Sequence, residues 1–226
     1  MGRRGDPDGA VQRIVEARVS AIIRTNDEAL ARDAMSAAVD GGFRVVEFTM
    51  TTPGALDLVR SFSKRSELTV GAGTVMTAAA VRDAVAAGAA FIVSPIFDPV
   101  VVGEASSLGV PTIPGAFTPT EMEAAHRGGA GLVKVFPAPP GGVSYFEAIR
   151  GPLPHLRLFP TAGFTVDNFT DFLDAGCVGV GFVKPLFDPA DLAARRFDAI
   201  RSRAAGIIAR LERWRESASQ TALGCR

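Results

Sequence analysis

A (β/α)8 barrel, the TIM-barrel architecture, with an extra helix in front is what three features of the chain predict. Short apolar runs alternate with longer helical stretches eight times, at a spacing of roughly 22 to 25 residues. The apolar runs are nearly continuous rather than alternating, as strands buried on both faces must be. The competing doubly wound sheet calls for a full glycine fingerprint after the first strand. Here Gly71-Ala-Gly73-Thr74 is incomplete and follows the third.

The units follow in order. Asp8 to Ala17 is an amphipathic segment ahead of the first strand, Val19 to Ile23. Asp27 to Asp40 carries Ala, Leu and Met at helical spacing and stops at Gly41-Gly42. Val45 to Phe48 is strand two; Thr52 as cap and Pro53 at the first helical position open a helix to about Lys64. Leu68 to Gly71 is strand three, followed by the alanine-rich helix Met76 to Ala87, capped by Thr77 and stopped by Gly88. Ala90 to Ser94 is strand four and Asp98 to Leu108 its helix. Pro111 to Pro114 is a poor strand by propensity, placed by the alternation alone. Thr118-Pro119-Thr120-Glu121 is a helix start, ended by Gly128-Gly129. Leu132 to Phe136 is strand six, Ser144 to Arg150 a helix, Leu156 to Phe159 strand seven. Thr165 to Asp174 is a helix capped near Thr165 or Asp167, and Cys177 to Val180 is strand eight. The last helix runs from Pro189 to Ser217 and leaves a frayed polar tail. No linker divides the chain, so residues 1–226 read as one domain with a short polar N-terminal extension.

Composition narrows the function classes. With 47% hydrophobic and 21% charged residues, the chain is a folded globule rather than a disordered one. A formal net charge of zero argues against a nucleic-acid partner. Cys177 and Cys225 suggest no disulfide framework, and His126 and His155 form no metal-ligand cluster. The N-terminus has no signal-peptide character and no stretch suits a membrane, so the expectation is a cytoplasmic protein without a membrane partner.

Lys134, in Gly131-Leu-Val-Lys134-Val-Phe136-Pro137, is the most informative residue. An ammonium flanked by apolar residues in a strand is costly unless it has a partner or a task. A desolvated lysine near a carboxylate serves as an amine nucleophile and forms a Schiff base. The candidate carboxylate is Glu47, embedded in Val45-Val-Glu47-Phe-Thr49. The bland reading gives Lys134 a buried stem with its head in water, or a structural pairing with Glu47. Barrel active sites lie at the carboxyl ends of the strands. Polar or special residues fall at several such ends: Arg24, Glu47 and Thr49, Thr74, Ser94-Pro95, Lys134, Thr161 and Lys184. An isomerase using Glu47 as a base, or a non-catalytic binding barrel, shares this pattern.

The same segments resemble the KDPG/KHG aldolases, class I enzymes that cleave 2-keto-3-deoxy-6-phosphogluconate or 4-hydroxy-2-oxoglutarate to pyruvate and an aldehyde. The resemblance rests on Ala21-Ile-Ile-Arg24, Gly42 to Pro53, Gly71-Ala-Gly-Thr-Val75, Phe91 to Pro95, Ile113-Pro-Gly115, Val133 to Pro137 and Phe159 to Gly163. It implies that Lys134 forms the imine and Glu47 moves the protons. It implies further that Thr74 bonds the pyruvoyl carboxylate, that Thr161 lines the same pocket, and that Pro95 and Phe136 supply apolar walls. Arg24 matches an arginine found in part of the family. Gly163 and the strand-eight loop with Gly181 and Lys184 cradle the phosphate. The resemblance implies a homotrimer and no metal or cofactor. Thr51 stands where some members carry an arginine. Ala162 replaces the first of two glycines, and Phe182 and Val183 are expected to crowd the cradle, which favours 4-hydroxy-2-oxoglutarate or a non-phosphorylated 2-keto-3-deoxy acid as an alternative substrate.

Overall fold

Eight parallel strands close around one axis in the computed structural model, which describes residues 7–224, with side chains described through residue 220. The strands are β1 Val19–Ile23, β2 Val45–Thr49, β3 Thr69–Gly73, β4 Phe91–Ser94, β5 Thr112–Ala116, β6 Val133–Val135, β7 Leu158–Pro160 and β8 Val180–Phe182. Each pairs with its sequence neighbour, and β8 pairs with β1. The last seam, β7 to β8, is held by a bridge between Thr161 and Gly181 and by the Val178 N–H donating to the Leu158 carbonyl at 2.9 Å. The eight-fold alternation in the sequence is therefore a barrel.

The helices are α1 Pro7–Ala17, α2 Glu28–Asp40, α3 Ala55–Phe62, α4 Ala78–Ala86, α5 Pro99–Ser107, α6 Pro119–Arg127, α7 Val143–Arg150, α8 Phe169–Asp174, α9 Pro189–Ala193 and α10 Phe197–Gly224. Several starts are set by the residues expected. Asp27 caps α2 by accepting from the Leu30 N–H, Thr77 caps α4, and Thr118 with Glu121 forms a reciprocal capping box on α6.

Side chains alternate across each strand, so the barrel holds two cores. The outward residues, such as Val46, Phe48, Ile92, Val133 and Leu158, pack under the helices. The inward residues Val45, Phe91, Val93, Ile113 and Phe159 fill the lumen, with Val11 and Ile14 of α1 packed against them. α1 crosses β1 to β4 and so plugs the amino-terminal end. Between this plug and the carboxyl ends of the strands lies a cavity whose lining includes Ile14, Ser20 and Val45.

Some boundaries differ from the sequence reading for local reasons. Strand eight begins at Val180 rather than Cys177. The Cys177 N–H bonds the Phe172 carbonyl and Gly176, at φ 85, bonds Leu173, which ties that stretch to the end of α8. α8 begins at Phe169, not Thr165, because the Asn168 side chain accepts from the Thr165 N–H and hydroxyl and holds a turn there; neither Thr165 nor Asp167 is its cap. Strand seven is moved on to Leu158–Pro160, because the Leu156 N–H bonds Leu153 in a turn. Thr52 does not cap α3, whose N-cap is Gly54 at φ 67. The final helix is broken. Arg195 adopts φ 50 between α9 and α10, and the buried Asp191 takes both Arg196 and Arg203, folding α10 back. α10 then continues past Ser217 to Gly224, so the expected frayed tail is helical that far. The expected N-terminal extension, residues 1–6, and Cys225 lie outside the described residues.

Candidate active site

Glu47 sits on the inward face of β2, two residues after Val45 and two before Thr49. Lys134 holds the matching position on β6, two residues after the inward Leu132. Both line one cavity with Thr161, over the floor made by Phe91, Val93 and Phe159. The sequence period of two thus aims an acid and a base into the same lumen from strands on opposite walls. Lys134 is 7% exposed and Glu47 3%. No hydrogen bond or ion pair joins them among the described residues, but each feels the charge of the other; Lys134 is buried rather than reaching water.

Burial dominates the electrostatics of both groups. Desolvation raises the Glu47 carboxyl above its ordinary value; the nearby Lys134 and Arg24 charges pull it down but do not reverse the shift. Desolvation lowers the Lys134 ammonium, the Glu47 charge opposes this, and Arg24 adds to it. Both shifts run in the direction of the uncharged forms, an amine and a carboxyl group. A buried pair so arranged can add an amine to a carbonyl and supply the proton that its oxygen needs.

The wall between them is built from glycine. A Cβ placed on Gly73 would lie 1.8 Å from Glu47 Oε1, and one on Gly71 would lie 2.3 Å from the Phe91 ring. Both glycines are inward positions of β3, and they leave the space the carboxylate and the floor ring occupy. The Gly-X-Gly spacing inside a strand was the signal for this close approach, although the sequence reading did not assign Gly73 a role. On β5, a Cβ at Gly115 would lie 2.0 Å from the Pro95 carbonyl, so the end of β4 is held against its neighbour.

Around the rim, Arg24 donates to the Thr74 hydroxyl at 3.2 Å. Thr74 itself adopts φ 58, a strained conformation for a β-branched residue. The Lys134 ammonium lies 5.0 Å from the Phe136 ring centroid. Pro95 and Phe136 line a hollow with Phe97 and Phe117 next to that ring. Ser94 is spent on the Ile96 carbonyl and shapes the turn. Thr49 is buried, and its hydroxyl contacts those of Thr51 and Thr52.

The β7 and β8 loops correct one expectation. Phe182 is fully buried and packs edge-on against Phe43, Phe164 and Phe169, outside the barrel, so its ring does not crowd the mouth. Gly181 pairs with Thr161, and a Cβ there would meet Ile22 and Thr161 at 2.7 and 3.0 Å. Gly163 adopts φ 88 and Lys184 is exposed; neither lines the Glu47–Lys134 cavity. Ala162 adopts φ 91, where a side chain is strained. Relief of that strain, on the order of 1–3 kcal/mol, exceeds the roughly 0.4–1 kcal/mol that glycine adds to the entropy of the unfolded chain. Ala162→Gly is therefore expected to raise the urea midpoint, by about 1 kcal/mol in unfolding free energy; a lowered midpoint contradicts this.

Among the described residues, no group of three or more His, Cys, Asp or Glu is placed to hold a metal ion, and no helix is long and apolar enough to cross a membrane.

Comparison with known proteins adds independent findings. The family profile described as KDPG and KHG aldolase matches residues 11–201. The 2-dehydro-3-deoxy-phosphogluconate aldolase of Pseudomonas aeruginosa is 34% identical over 175 residues, 75% of this chain and 80% of that protein. A probable 2-dehydro-3-deoxy-6-phosphogalactonate aldolase of Rhizobium meliloti is 32% identical over 198 residues, 86% of this chain and 92% of that protein. The crystal structure of the KDPG aldolase of Legionella pneumophila, with pyruvate captured as a covalent carbinolamine, superposes with a TM-score of 0.79 at 25% identity. That match covers 88% of this chain and 97% of that one.

Proposed function

The chain belongs to the KDPG and KHG aldolase family and is a class I, Schiff-base aldolase, and on that premise we propose that it cleaves 2-dehydro-3-deoxy-6-phosphogluconate to pyruvate and glyceraldehyde 3-phosphate. The observation that carries the assignment of roles is the buried Lys134 sharing one cavity with the buried Glu47.

In this reading the neutral Lys134 amine attacks C2 of the substrate, and protonated Glu47 donates to the developing oxygen. Loss of water from the carbinolamine gives the iminium. The Glu47 carboxylate then takes the proton of the C4 hydroxyl; the C3–C4 electron pair moves into the iminium, and the aldehyde leaves. Glu47 returns its proton to C3 of the enamine, and hydrolysis frees pyruvate and Lys134. Arg24 and Thr74, already hydrogen-bonded to each other, hold the carboxylate. Thr161 lines the cavity, and Pro95 and Phe136 exclude water from one side. Thr49 lies at the rim. Gly163, Gly181 and Lys184 receive the phosphate, and the outward turn of Phe182 supports room for it.

Ala162, whose methyl replaces a hydrogen in the cradle, favours a second reading in which the substrate is 4-hydroxy-2-oxoglutarate or a non-phosphorylated 2-keto-3-deoxy acid. Retro-aldol rates on the three substrates separate the two. Charge-assisted contacts to phosphate are expected to raise kcat/KM about ten- to a hundredfold over the non-phosphorylated analogue; equal or higher rates without phosphate overturn the first reading. The assembly proposed is a homotrimer, and light scattering that reports a single chain removes it.

Gly73 gives a separate test of the placement of Glu47. Gly73→Ala presses on the buried Glu47 side chain rather than on backbone, so the fold is expected to persist with a loss of about 1–3 kcal/mol. Turnover is expected to fall about as far as the loss of a positioned proton donor implies, roughly 10²- to 10⁴-fold. Full activity in this variant removes Glu47 from the reading.

A further inference from the structure

Four buried polar side chains line one cavity, Ser20, Glu47, Lys134 and Thr161, and none of them hydrogen-bonds to another protein group among the described residues. The mechanism uses three of them and leaves Ser20 without a task. Ser20 is 3% exposed. It stands on the inward face of β1, between the outward Val19 and Ala21. Strand register sets it opposite Gly181, and Gly181 in turn bridges Thr161. The two hydroxyl-bearing residues thus flank a bare glycine in one inward row, two strand spacings or roughly 10 Å apart at Cα. A Cβ at Gly181 would lie 3.0 Å from Thr161 Oγ1, so the glycine keeps the gap between them clear. The cavity these residues share with Glu47 and Lys134 measures about 10 Å³, which is room for about one water. Buried polar groups are satisfied by protein or by water, and a held water takes about two to four polar partners.

We infer that Ser20, with Thr161, holds a single water beside Glu47 and Lys134, and that this is the water lost and regained at C2 of the substrate. The inference rests on the aldolase reading above. Protonated Glu47 gives its proton to the C2 hydroxyl of the carbinolamine. The C2–O bond breaks with its electron pair, and the lone pair of the Lys134 nitrogen closes the C=N bond. The water so formed passes to the Ser20 hydroxyl. In the hydrolytic half the held water adds to C2 of the iminium while the Glu47 carboxylate takes its proton, and the C=N electron pair returns to nitrogen. A hydroxyl suits this place because it both donates and accepts, so it binds water in either orientation. A water already placed next to C2 avoids part of the entropic cost of capture from bulk. Ser20 acts through the water and is a positioning residue.

The test is exchange of the pyruvate C2 oxygen with isotopically labelled water, followed by mass spectrometry, with the rate in the absence of protein subtracted. On the protein this exchange proceeds only when the carbinolamine loses and regains water. Ser20→Ala removes the hydroxyl and is expected to slow the exchange roughly two- to tenfold, the worth of one hydrogen bond. A brief borohydride quench after equilibration with pyruvate is expected to trap the same fraction of imine in variant and parent. A group that serves the water step in both directions alters its rate and not its equilibrium. An exchange rate in Ser20→Ala equal to or above that of the parent overturns the inference. So does a fall in exchange matched by an equal fall in trapped imine, which marks a disturbed pocket. Absence of a trapped imine in the parent defeats the aldolase reading and the inference with it, whereas a trapped imine with unchanged exchange in the variant defeats the inference alone.

Discussion

Replacing Lys134 with methionine is expected to take turnover to the detection limit while making the protein more stable. The chain has three lysines, Lys64, Lys134 and Lys184. Only Lys134 is buried at the mouth, and burial lowers its ammonium toward the neutral amine that attack on a ketone requires. Borohydride reduction with pyruvate is expected to label the peptide containing Lys134 in the parent and no peptide in the variant. The folded state carries the cost of desolvating Lys134, which the Glu47 charge opposes without reversing, and a thioether of similar volume removes that cost. A gain of about 1–2 kcal/mol, or roughly 2–4 °C in Tm per kcal/mol for a chain of this size, is expected. Opposite signs for activity and stability are what a residue kept for chemistry shows. Persistent turnover, or a label on Lys64 or Lys184, refutes the assignment.

The barrel and the pair were legible for the same reason. Strand periodicity is a local property, and the i, i+2 spacing of Val45, Glu47 and Thr49, or of Leu132 and Lys134, fixes which side chains enter the lumen. What the sequence hid depends on contacts made across the chain. Phe182 is expected at the cradle from its position in the motif, yet it turns outward because Phe43, Phe164 and Phe169 form a ring pocket behind β8. Thr52 has the form of a helix cap, but its hydroxyl is taken by Thr25 and Thr49, and Gly54 starts the helix instead. The break between α9 and α10 depends on Asp191 gathering Arg196 from the junction and Arg203 from α10, which no propensity encodes. Gly73 is an intermediate case. Its spacing signals a close approach, and only the fold identifies the approaching group as Glu47.

Replacing Glu47 with glutamine is expected to separate the two tasks of this residue. The amide keeps the shape but moves no proton, so the plateau rate of the retro-aldol reaction falls by roughly 10²- to 10⁴-fold. The Glu47 charge is also what raises the Lys134 ammonium against desolvation and Arg24. With that charge gone, both remaining influences lower it, and the amine stays neutral further into acid. The acid limb of pyruvate imine formation, read by trapping across a pH series, therefore moves to lower pH in Glu47→Gln even as the plateau drops. Arg24→Met acts in reverse, because loss of a like charge lets Lys134 rise and moves the limb to higher pH. Stability carries a matching signature. A carboxyl raised by burial keeps its proton in the folded state after the unfolded chain has begun to lose it, near 4.5. Unfolding is thus favoured increasingly as pH climbs from there to the folded-state value, above which the loss is constant. Glutamine removes this component, so Tm in the variant is expected to decline less than in the parent as pH rises above about 4.5. An acid limb that stays in place, or parallel Tm profiles, means that Glu47 is not coupled to Lys134 in the way burial dictates.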